Sequence, residues 1–362
     1  MAGREPPYRV ALLGYGVAGR VFHAPLIAAD PHLELAAVVT TDPARRDQSA
    51  NEHPGARVLD GPEAVWERAA DFDLCIVATP NRTHKALALA SLGAGLATVV
   101  DKPVTGTAAE AMELAELAKA RGLLFSVYQN RRWDGDFLTV CRLLDEGRLG
   151  DVWRYESRFE RWRPEPSKRW RESGNPEDLG GVLYDLGSHL VDQAIVVLGP
   201  VRSVFAEVLV RRPGAGADDD SFLALEHTNG ARSHLWASAT AAQLGPRFRV
   251  LGSRAGYVKF GMDPQEDALK AGSRPGPGWG KEPQEAWGWL GSGVPMLGGV
   301  GARVPTAPGD YPAFYRGIVA ALRGEAPPPV TGEEAAGVIR VLEAAKLSAQ
   351  EGRTVYLSEV EP

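Results

Sequence analysis

The first 130 residues alternate between short apolar runs and helix-like segments, and this rhythm most constrains the fold. Five of the runs show no apolar–polar alternation, so both faces of each strand should be buried: YRVALLG, LELAAVVT, DLCIVATP, LATVVDKP and LLFSVYQN. Helix-like segments such as TAAEAMELAELAKARG separate them. Strands and helices in this order form a doubly wound parallel sheet, which binds ligands at the carboxyl ends of its strands.

Beyond Asn130 the pattern changes to alternation of apolar and polar residues. It is clearest in VWRYESRFERW, SVFAEVLVRR, SFLALEHTNGARSHLWASAT and RFRVLGSRAGYVKF. This period of two predicts an open, mostly antiparallel sheet with one face exposed to water, and the Asn229-Gly230 pair predicts a hairpin within it. Residues 271–309 are rich in Gly and Pro, and we predict a long excursion without regular structure there.

Length and composition set the domain count and exclude several classes of partner. At 362 residues the chain is too long for one ordinary core, so we assign residues 1–130 to an α/β domain and 131–362 to an α+β domain. A net charge of −6 argues against nucleic-acid binding, which requires clustered Lys and Arg. No apolar signal core and no uninterrupted apolar run of membrane-spanning length is present, which predicts a cytoplasmic protein without membrane contact. Cys75 and Cys141 form no CxxC pair, so we expect neither a disulfide nor a metal site.

A glycine-rich turn follows the first apolar run in VALLGYGVAGR. Gly14, Gly16 and Gly19 have G-x-G-x-x-G spacing, with Val17 and Ala18 inside the motif. The motif lies between a predicted strand and a predicted helix, the setting in which it binds a dinucleotide. Its glycines permit the tight turn, the close approach of a pyrophosphate and the helix–strand contact, while the helix N-terminus faces the anion.

The end of the second strand bears on cofactor choice. Thr40 and Thr41 stand where an NAD-specific site carries an acid, and Arg45 follows closely. Hydroxyl and guanidinium groups suit a 2′-phosphate, so NADP(H) is favoured over NAD(H). Asp42 is the alternative ribose acid, but Pro43 after it favours an N-cap for the next helix.

Later strands end in polar residues at the edge where a nicotinamide should lie. Asp101 and Lys102 end one strand, and Lys102 could donate a proton to a carbonyl oxygen or stabilise an alkoxide there, although surface lysines after strands are common. The neighbouring strand ends in a second set of cofactor candidates: Thr79, Pro80, Asn81 and His84.

Residues 181–199, GVLYDLGSHLVDQAIVVLG, predict an apolar helix with a glycine at each end. Asp185 and His189 stand one turn apart on a narrow polar stripe beside a leucine stripe, so both can act on one bound molecule. A solvated face is the simpler reading of such a pair, but the apolar residues around it argue against full exposure. Asp192 shares the stripe without an assigned role.

With the glycine loop, DKP and DLGSHLVD present in this order, the chain resembles the Gfo/Idh/MocA oxidoreductases. The resemblance implies an N-terminal Rossmann domain and a C-terminal domain whose open sheet commonly mediates oligomerisation, here as a homodimer or homotetramer. It implies hydride transfer between NAD(P) and a sugar, cyclitol or related polyol. VFHAPLI, NRRWD and RPEPSKRWRE resemble a subgroup that contains NADP-dependent scyllo-inositol dehydrogenases. Asp101 departs from the glutamate found in many members.

By this resemblance Lys102, Asp185 and His189 are the catalytic set. We expect His189 to act as general acid/base, Lys102 to hydrogen-bond the reacting oxygen and Asp185 to orient a neighbouring hydroxyl or the imidazole. The remaining candidates for holding substrate hydroxyls, on placement and resemblance, are Asn130, Trp162 and Arg169. Two alternatives stay open: a glycosidase that uses the nicotinamide transiently, and a non-catalytic dinucleotide-sensing regulator.

Overall fold

Residues 6–166, 172–293 and 298–361 are described by a computed structural model of the chain. They divide into two units. The first comprises Met1–Asn130, Gln265–Trp279 and Asp310–Ala336, and the second comprises Arg131–Pro264, Gly280–Gly309 and Gly337–Pro362. The sequence assigned everything after residue 130 to one domain, whereas here two later segments pack with the first unit. Contacts distant in sequence decide this membership, and no local pattern reports them.

A six-stranded parallel sheet forms the centre of the first unit, as the apolar runs predict. Its strands are β1 (Tyr8–Leu13), β2 (Leu33–Val39), β3 (Arg57–Leu59), β4 (Leu74–Val77), β5 (Ala97–Asp101) and β6 (Phe125–Tyr128). Their order is β3-β2-β1-β4-β5-β6, and every pairing is parallel. The order reverses between β1 and β4, the point at which such sheets bind ligands. Only β3 is absent from the sequence prediction, because three residues are too few to show a pattern.

Within the described part of the chain, five α-helices connect these strands, and the sequence predicts all of them except the four-residue helix Glu63–Trp66. They are α1 (Ala24–Ala29), α2 (Pro43–Glu52), α3 (Glu63–Trp66), α4 (His84–Gly93) and α5 (Ala108–Ala120). A π-helical turn, Ala18–His23, precedes α1. At the start of α2 the Asp42 carboxylate accepts a hydrogen bond from the backbone N–H of Arg45 at 3.0 Å, which confirms Asp42 as the N-cap.

The rest of the chain supplies five helices and nine strands within the described residues. In chain order they are α6 (Gly135–Asp145), β7 (Val152–Glu160), α7 (Ser188–Leu198), β8 (Val201–Leu209), β9 (Asp220–His227), β10 (Arg232–Ser238), β11 (Phe248–Gly252), β12 (Gly256–Lys259), α8 (Gln265–Lys270), β13 (Gly288–Ser292), β14 (Val300–Val304), α9 (Pro312–Leu322), α10 (Gly332–Glu351) and β15 (Val355–Tyr356). Helices α8 and α9 belong to the first unit, whereas all nine strands belong to the second.

The nine strands form one sheet in the order β14-β13-β12-β11-β7-β10-β9-β8-β15. Only β7 and β10 pair in parallel, so the prediction of a mostly antiparallel sheet is confirmed. Asn229-Gly230 lies in the predicted hairpin between β9 and β10, with Gly230 at a φ of +88°. Along β9 buried residues alternate with more exposed ones, so one face is covered and the other is open.

The prediction for residues 271–309 is wrong in one respect, because β13 and β14 form a hairpin there. Pairing of β13 with β12 extends the sheet by two strands. Glycines in this segment weaken the strand pattern of the sequence, so the hairpin is not predicted. The hairpin nevertheless requires glycine at position 288, because a Cβ there would overlap the Tyr257 ring at 2.5 Å. Close packing against β12 therefore overrides the low strand propensity of glycine.

The apolar segment that carries Asp185 and His189 belongs to the core of the second unit. By length and composition alone, Pro176–Leu198 could cross a membrane, yet 72% of its most apolar window is buried in the protein. Helix α7 packs on β7 and β10, which covers one face of the sheet. This burial is typical of a core helix.

Candidate functional site

The glycine loop has the shape that a dinucleotide requires. Gly14 has a φ of +97°, and a Cβ there would lie 2.5 Å from the carbonyl oxygen of Ala78. A Cβ at Gly19 would overlap the carbonyl oxygen of Gly14, so neither position admits a side chain. At Gly16, by contrast, a Cβ would meet only Arg45 Nη1, at 3.8 Å. The loop is therefore closed on its protein side and open at Gly16, which fits a pyrophosphate at the helix N-terminus.

The residues after β2 divide into structural and solvent-facing groups. Thr40 is buried and Thr41 is exposed. Arg46 donates to the Thr40 carbonyl oxygen at 3.3 Å and pairs with Asp60, so its guanidinium holds the end of β2. Arg45 instead extends towards Gly16, with its Nε 3.9 Å from the Asp42 carboxylate. This places a guanidinium beside the open side of the glycine loop.

Tyr15, inside the glycine loop, anchors the loop in a way that the sequence reasoning missed. Its side chain is buried, and its hydroxyl donates to Glu52 of α2 at 2.7 Å. Arg20 donates to the same carboxylate through Nε and Nη2 at 3.0 and 2.8 Å. Burial and the Glu52 carboxylate raise the pKa of Tyr15 well above its usual value, so it remains a donor. The sequence feature that could have indicated this anchor is an aromatic residue between two glycines of the motif.

At the ends of β4 and β5, His84 joins the two strands. Its Nδ1 lies 2.8 Å from the Pro103 carbonyl oxygen and its Nε2 lies 2.9 Å from the Thr79 carbonyl oxygen, and only 1% of the residue is exposed. Burial lowers the pKa of His84, against the opposing effects of Asp101 and the two carbonyls. Both ring nitrogens face protein carbonyl oxygens, so His84 bridges the ends of the two strands, and its contact with a cofactor stays a prediction.

Lys102 follows β5 directly in a corner that other residues fix. Its backbone N–H donates to the Asp101 carboxylate at 2.8 Å, and the peptide bond to Pro103 is cis. Pro80 and Asn81 follow β4, and Asn81 is buried at the start of a short 3₁₀ turn before α4. The predicted cofactor residues of the first unit therefore cluster at the carboxyl ends of β1, β2, β4 and β5.

In the second unit, Asp218 anchors the start of the helix that carries Asp185 and His189. Its carboxylate accepts the backbone N–H of Leu183 at 2.7 Å, and its backbone oxygen accepts that of Val182 at 3.0 Å. Gly181 has a φ of +96°, and a Cβ there would overlap the Asp218 carboxyl group. The carboxylate satisfies an N–H that the first turn leaves without an intrahelical acceptor.

The segment begins with a π-helical turn, Leu183–Gly187, and continues as α7. Asp185, in the turn, is half-buried, whereas His189 is 5% exposed. The prediction that this face is not fully solvated is therefore confirmed. A widened turn beside a functional pair is a recurrent feature of proteins, and the sequence carried no sign of it.

Asp192, which the sequence left without a role, has a structural partner. Its two carboxylate oxygens accept Nε and Nη2 of Arg132 at 2.9 and 2.7 Å, a bidentate pair that is almost fully buried. Next to it, Gln193 donates to the Arg131 carbonyl oxygen and accepts from Arg247. This network fixes the middle of α7.

The three candidates for holding substrate hydroxyls differ in where they lie and in how exposed they are. Asn130 is buried in the first unit, in a 3₁₀ turn after β6. Trp162 in the second unit is 56% exposed and pairs with Thr240 in an isolated bridge. Arg169 lies outside the described residues. Of the catalytic candidates, Lys102 belongs to the first unit, and Asp185 and His189 belong to the second.

Comparison with protein families gives two matches in the order of the two predicted domains. Residues 8–129 match the Gfo/Idh/MocA model described as an oxidoreductase family with an NAD-binding Rossmann fold. Residues 142–357 match the model for the C-terminal alpha/beta domain of the same oxidoreductase family. Together they cover most of the chain.

Individual relatives match over nearly their full lengths. The chain is 41% identical to the oxidoreductase YdgJ of Escherichia coli, over 97% of this chain and 99% of YdgJ. It is 37% identical to scyllo-inositol 2-dehydrogenase (NADP(+)) IolW of Bacillus subtilis, over 96% of each chain. The solved structure of the oxidoreductase yvaA from Bacillus subtilis has a TM-score of 0.90 to this chain at 35% identity, covering 98% of this chain and 99% of that one.

Proposed function

Because the chain belongs to the Gfo/Idh/MocA family of NAD(P)-dependent oxidoreductases, we propose that it interconverts a secondary alcohol and a ketone on a cyclitol or sugar, with NADP(H) favoured. The observation that carries this proposal is the identity to IolW, an NADP-dependent inositol dehydrogenase, over 96% of each chain. The anchored helix with Asp185 and His189, and the fixed corner at Lys102, supply the side chains that such a reaction needs.

In this proposal each catalytic side chain has one task. A bound NAD(P)(H) would supply the hydride acceptor for oxidation and the hydride donor for reduction. His189 takes the hydroxyl proton during oxidation and gives it back during reduction, because an imidazole exchanges protons near neutral pH. Lys102 donates a hydrogen bond to the reacting oxygen and stabilises negative charge that develops there. Asp185 orients a neighbouring hydroxyl or the imidazole.

We assign the remaining candidates by the chemistry of their positions. The proposed cofactor contacts are Gly14, Gly16, Val17, Ala18, Gly19, Thr40, Thr41, Arg45, Thr79, Pro80, Asn81, Asp101 and Lys102. Preference for NADP(H) rests on Arg45 beside the glycine loop and on the use of Asp42, the alternative ribose acid, as an N-cap. Asn130, Trp162 and Arg169 remain proposed contacts for substrate hydroxyls.

We also propose that the chain forms a homo-oligomer through the open face of its nine-stranded sheet. Phe222 and Trp236 lie on this face with ring centroids 5.1 Å apart, and the Arg158 guanidinium stacks 3.8 Å above Trp236. Glu207 and Asp220 line a shallow depression beside them. Aromatic and arginine side chains are enriched in interfaces, and a patch that carries charges of both signs can pair with itself across a twofold axis.

A substrate screen with one active-site variant tests the reaction. Purified protein is assayed with inositols, aldoses and their keto forms while the absorbance of reduced nicotinamide is followed. We expect turnover of at least one polyol with NADP⁺. Lys102→Met should lower kcat at least about a hundredfold and weaken NADPH binding far less, because the lost hydrogen bond to the reacting oxygen matters most in the transition state. Lys119→Met, at an exposed position of α5, is the matched control.

Three outcomes would contradict the proposal. Full turnover by Lys102→Met would exclude Lys102 from the reaction. Release of a sugar from a glycoside without net change in nicotinamide absorbance would favour the glycosidase. Tight NADPH binding without turnover of any polyol would favour the dinucleotide sensor.

A further inference from the structure

His23, at the end of the π-helical turn after the glycine loop, lies in an aromatic cluster of the first unit. The residue is fully buried, and its ring packs on Tyr128 of β6 with centroids 4.3 Å apart. Its Nδ1 lies 2.6 Å from the hydroxyl of Tyr315, which is also fully buried on α9. None of the activity assigned above uses this histidine.

The surroundings of Tyr315 determine which nitrogen of His23 carries the proton. Among the described residues, Nδ1 of His23 is the hydrogen-bond partner of the Tyr315 hydroxyl. A buried hydroxyl needs an acceptor for its proton, so Tyr315 donates and Nδ1 accepts. Burial lowers the pKa of His23 to about 4, so the ring is neutral at neutral pH and its single N–H is on Nε2.

The Nε2–H group belongs to a ring that packs on Tyr128, the sheet partner of Asp101. Within the described residues this buried atom has no hydrogen-bond partner. Asp101 also acts on the imidazole, because its carboxylate raises the pKa of His23 against the larger, lowering effect of burial. The Asp101 carboxylate is a negatively charged hydrogen-bond acceptor, and one of its oxygens already accepts the backbone N–H of Lys102 at 2.8 Å.

We propose that His23 is a positioning residue for Lys102: Tyr315 fixes the imidazole with its proton on Nε2, and that N–H holds the Asp101 carboxylate through one buried water. A water of this kind satisfies a buried donor and acceptor that are too far apart for direct contact. The Asp101 carboxylate thereby keeps one orientation, and the backbone of Lys102 is fixed with it. This inference rests on the role proposed for Lys102.

The first test measures the tautomer in the free protein and needs no substrate. Long-range ¹H–¹⁵N correlation spectra of ¹⁵N-histidine-labelled protein, with His23→Asn for assignment, show which nitrogen of His23 is protonated. We expect the proton on Nε2 in the wild type and a mixture of tautomers in Tyr315→Phe. A proton on Nδ1, or no change in Tyr315→Phe, would overturn the inference whether or not any polyol is turned over.

The second test uses two variants whose amide groups each replace one of the two ring nitrogens of His23. The amide of Asn stands near Nδ1 and can still accept from Tyr315, whereas the amide of Gln reaches the position of Nε2 and keeps a donor there. We expect His23→Asn to lower kcat about tenfold with KM and NADPH affinity little changed, and His23→Gln to restore most of that loss, because only orientation is affected.

A double-mutant cycle shows whether the effect passes through Asp101. If it does, His23→Asn should lower kcat much less in an Asp101→Asn background than in the wild type. Equal effects in the two backgrounds, or equal kcat values for the Asn and Gln variants, would overturn the inference while leaving the proposed reaction intact. Failure of the reaction itself is seen separately, as absence of wild-type turnover in the polyol screen.

Discussion

At the scale of single residues, neighbouring side chains near the glycine loop make different contacts. Arg45 and Arg46 are consecutive, yet Arg46 is held by the Thr40 carbonyl oxygen and Asp60 whereas Arg45 stands beside Gly16. Both ring nitrogens of His84 lie within 2.9 Å of protein carbonyl oxygens, and the Tyr15 hydroxyl donates to Glu52. Residue type alone does not predict these contacts, because each hydrogen bond depends on which acceptor lies within about 3 Å.

Cofactor preference is therefore expected to depend on Arg45. Arg45→Ala should raise the KM for NADPH by about tenfold to a hundredfold and leave that for NADH nearly unchanged, because a charge-assisted contact to a 2′-phosphate is lost. Arg57→Ala, which removes a surface ion pair with Asp71 at 3.2 Å, is the control. Steady-state kinetics with both cofactors would refute this assignment if the wild type preferred NADH, or if the variant kept its KM for NADPH.

At the scale of elements, the helix that carries Asp185 and His189 is held by side chains at its first turn and at its middle. Asp218 caps its first turn, and the pair of Arg132 with Asp192 holds its middle. Burial raises the pKa of Asp218, against the hydrogen bonds from Leu183 and Ser221. The helix thus holds its polar stripe, which carries Asp185 and His189, in a fixed position.

Removal of the cap should disturb this helix more than the rest of the protein. Asp218→Ala should lower the free energy of unfolding by about 1–2 kcal/mol and kcat about tenfold, because the turn that contains Asp185 loses its anchor. Thr107→Ala removes the N-cap of α5, where the hydroxyl accepts the Glu110 N–H at 3.3 Å, and should cost similar stability without loss of kcat. Urea unfolding and steady-state kinetics separate the two effects. Equal kcat losses would show that Asp218 has no specific role in positioning.

At the scale of the whole molecule, one face of the nine-stranded sheet carries side chains that remain partly exposed among the described residues. That face carries the Phe222–Trp236 pair and the Arg158 guanidinium stacked on it. A second copy of the chain would bury these side chains symmetrically, since a twofold interface places the same patch on both subunits.

A charge on this face should therefore change the oligomeric state. Trp236→Glu should yield a smaller species in sedimentation equilibrium at micromolar concentration, because it removes an aromatic anchor and adds an unpaired carboxylate. Val196→Glu, at an exposed apolar position of α7 on the other side of the sheet, is the control and should keep the wild-type mass. A monomeric wild type, or an unchanged mass for Trp236→Glu, would contradict the proposed interface.

The amino-acid sequence by itself determined the features that repeat locally along the chain. Apolar runs without alternation predicted the parallel sheet, and the spacing of Gly14, Gly16 and Gly19 predicted the loop that β1 feeds into. Asp42 before Pro43 predicted an N-cap, which the Arg45 N–H confirms. These inferences succeed because strand periodicity, left-handed turns and helix caps depend on neighbours within a few residues.

Only the tertiary structure shows which distant segments of the chain pack against one another. It placed 265–279 and 310–336 in the first unit, and it turned part of the Gly- and Pro-rich excursion into β13 and β14. It also brought Tyr315 to His23, 292 positions earlier in the chain. The physical reason is common to all three: pairing partners and hydrogen-bond acceptors are set by packing between distant segments, and no local period encodes that packing.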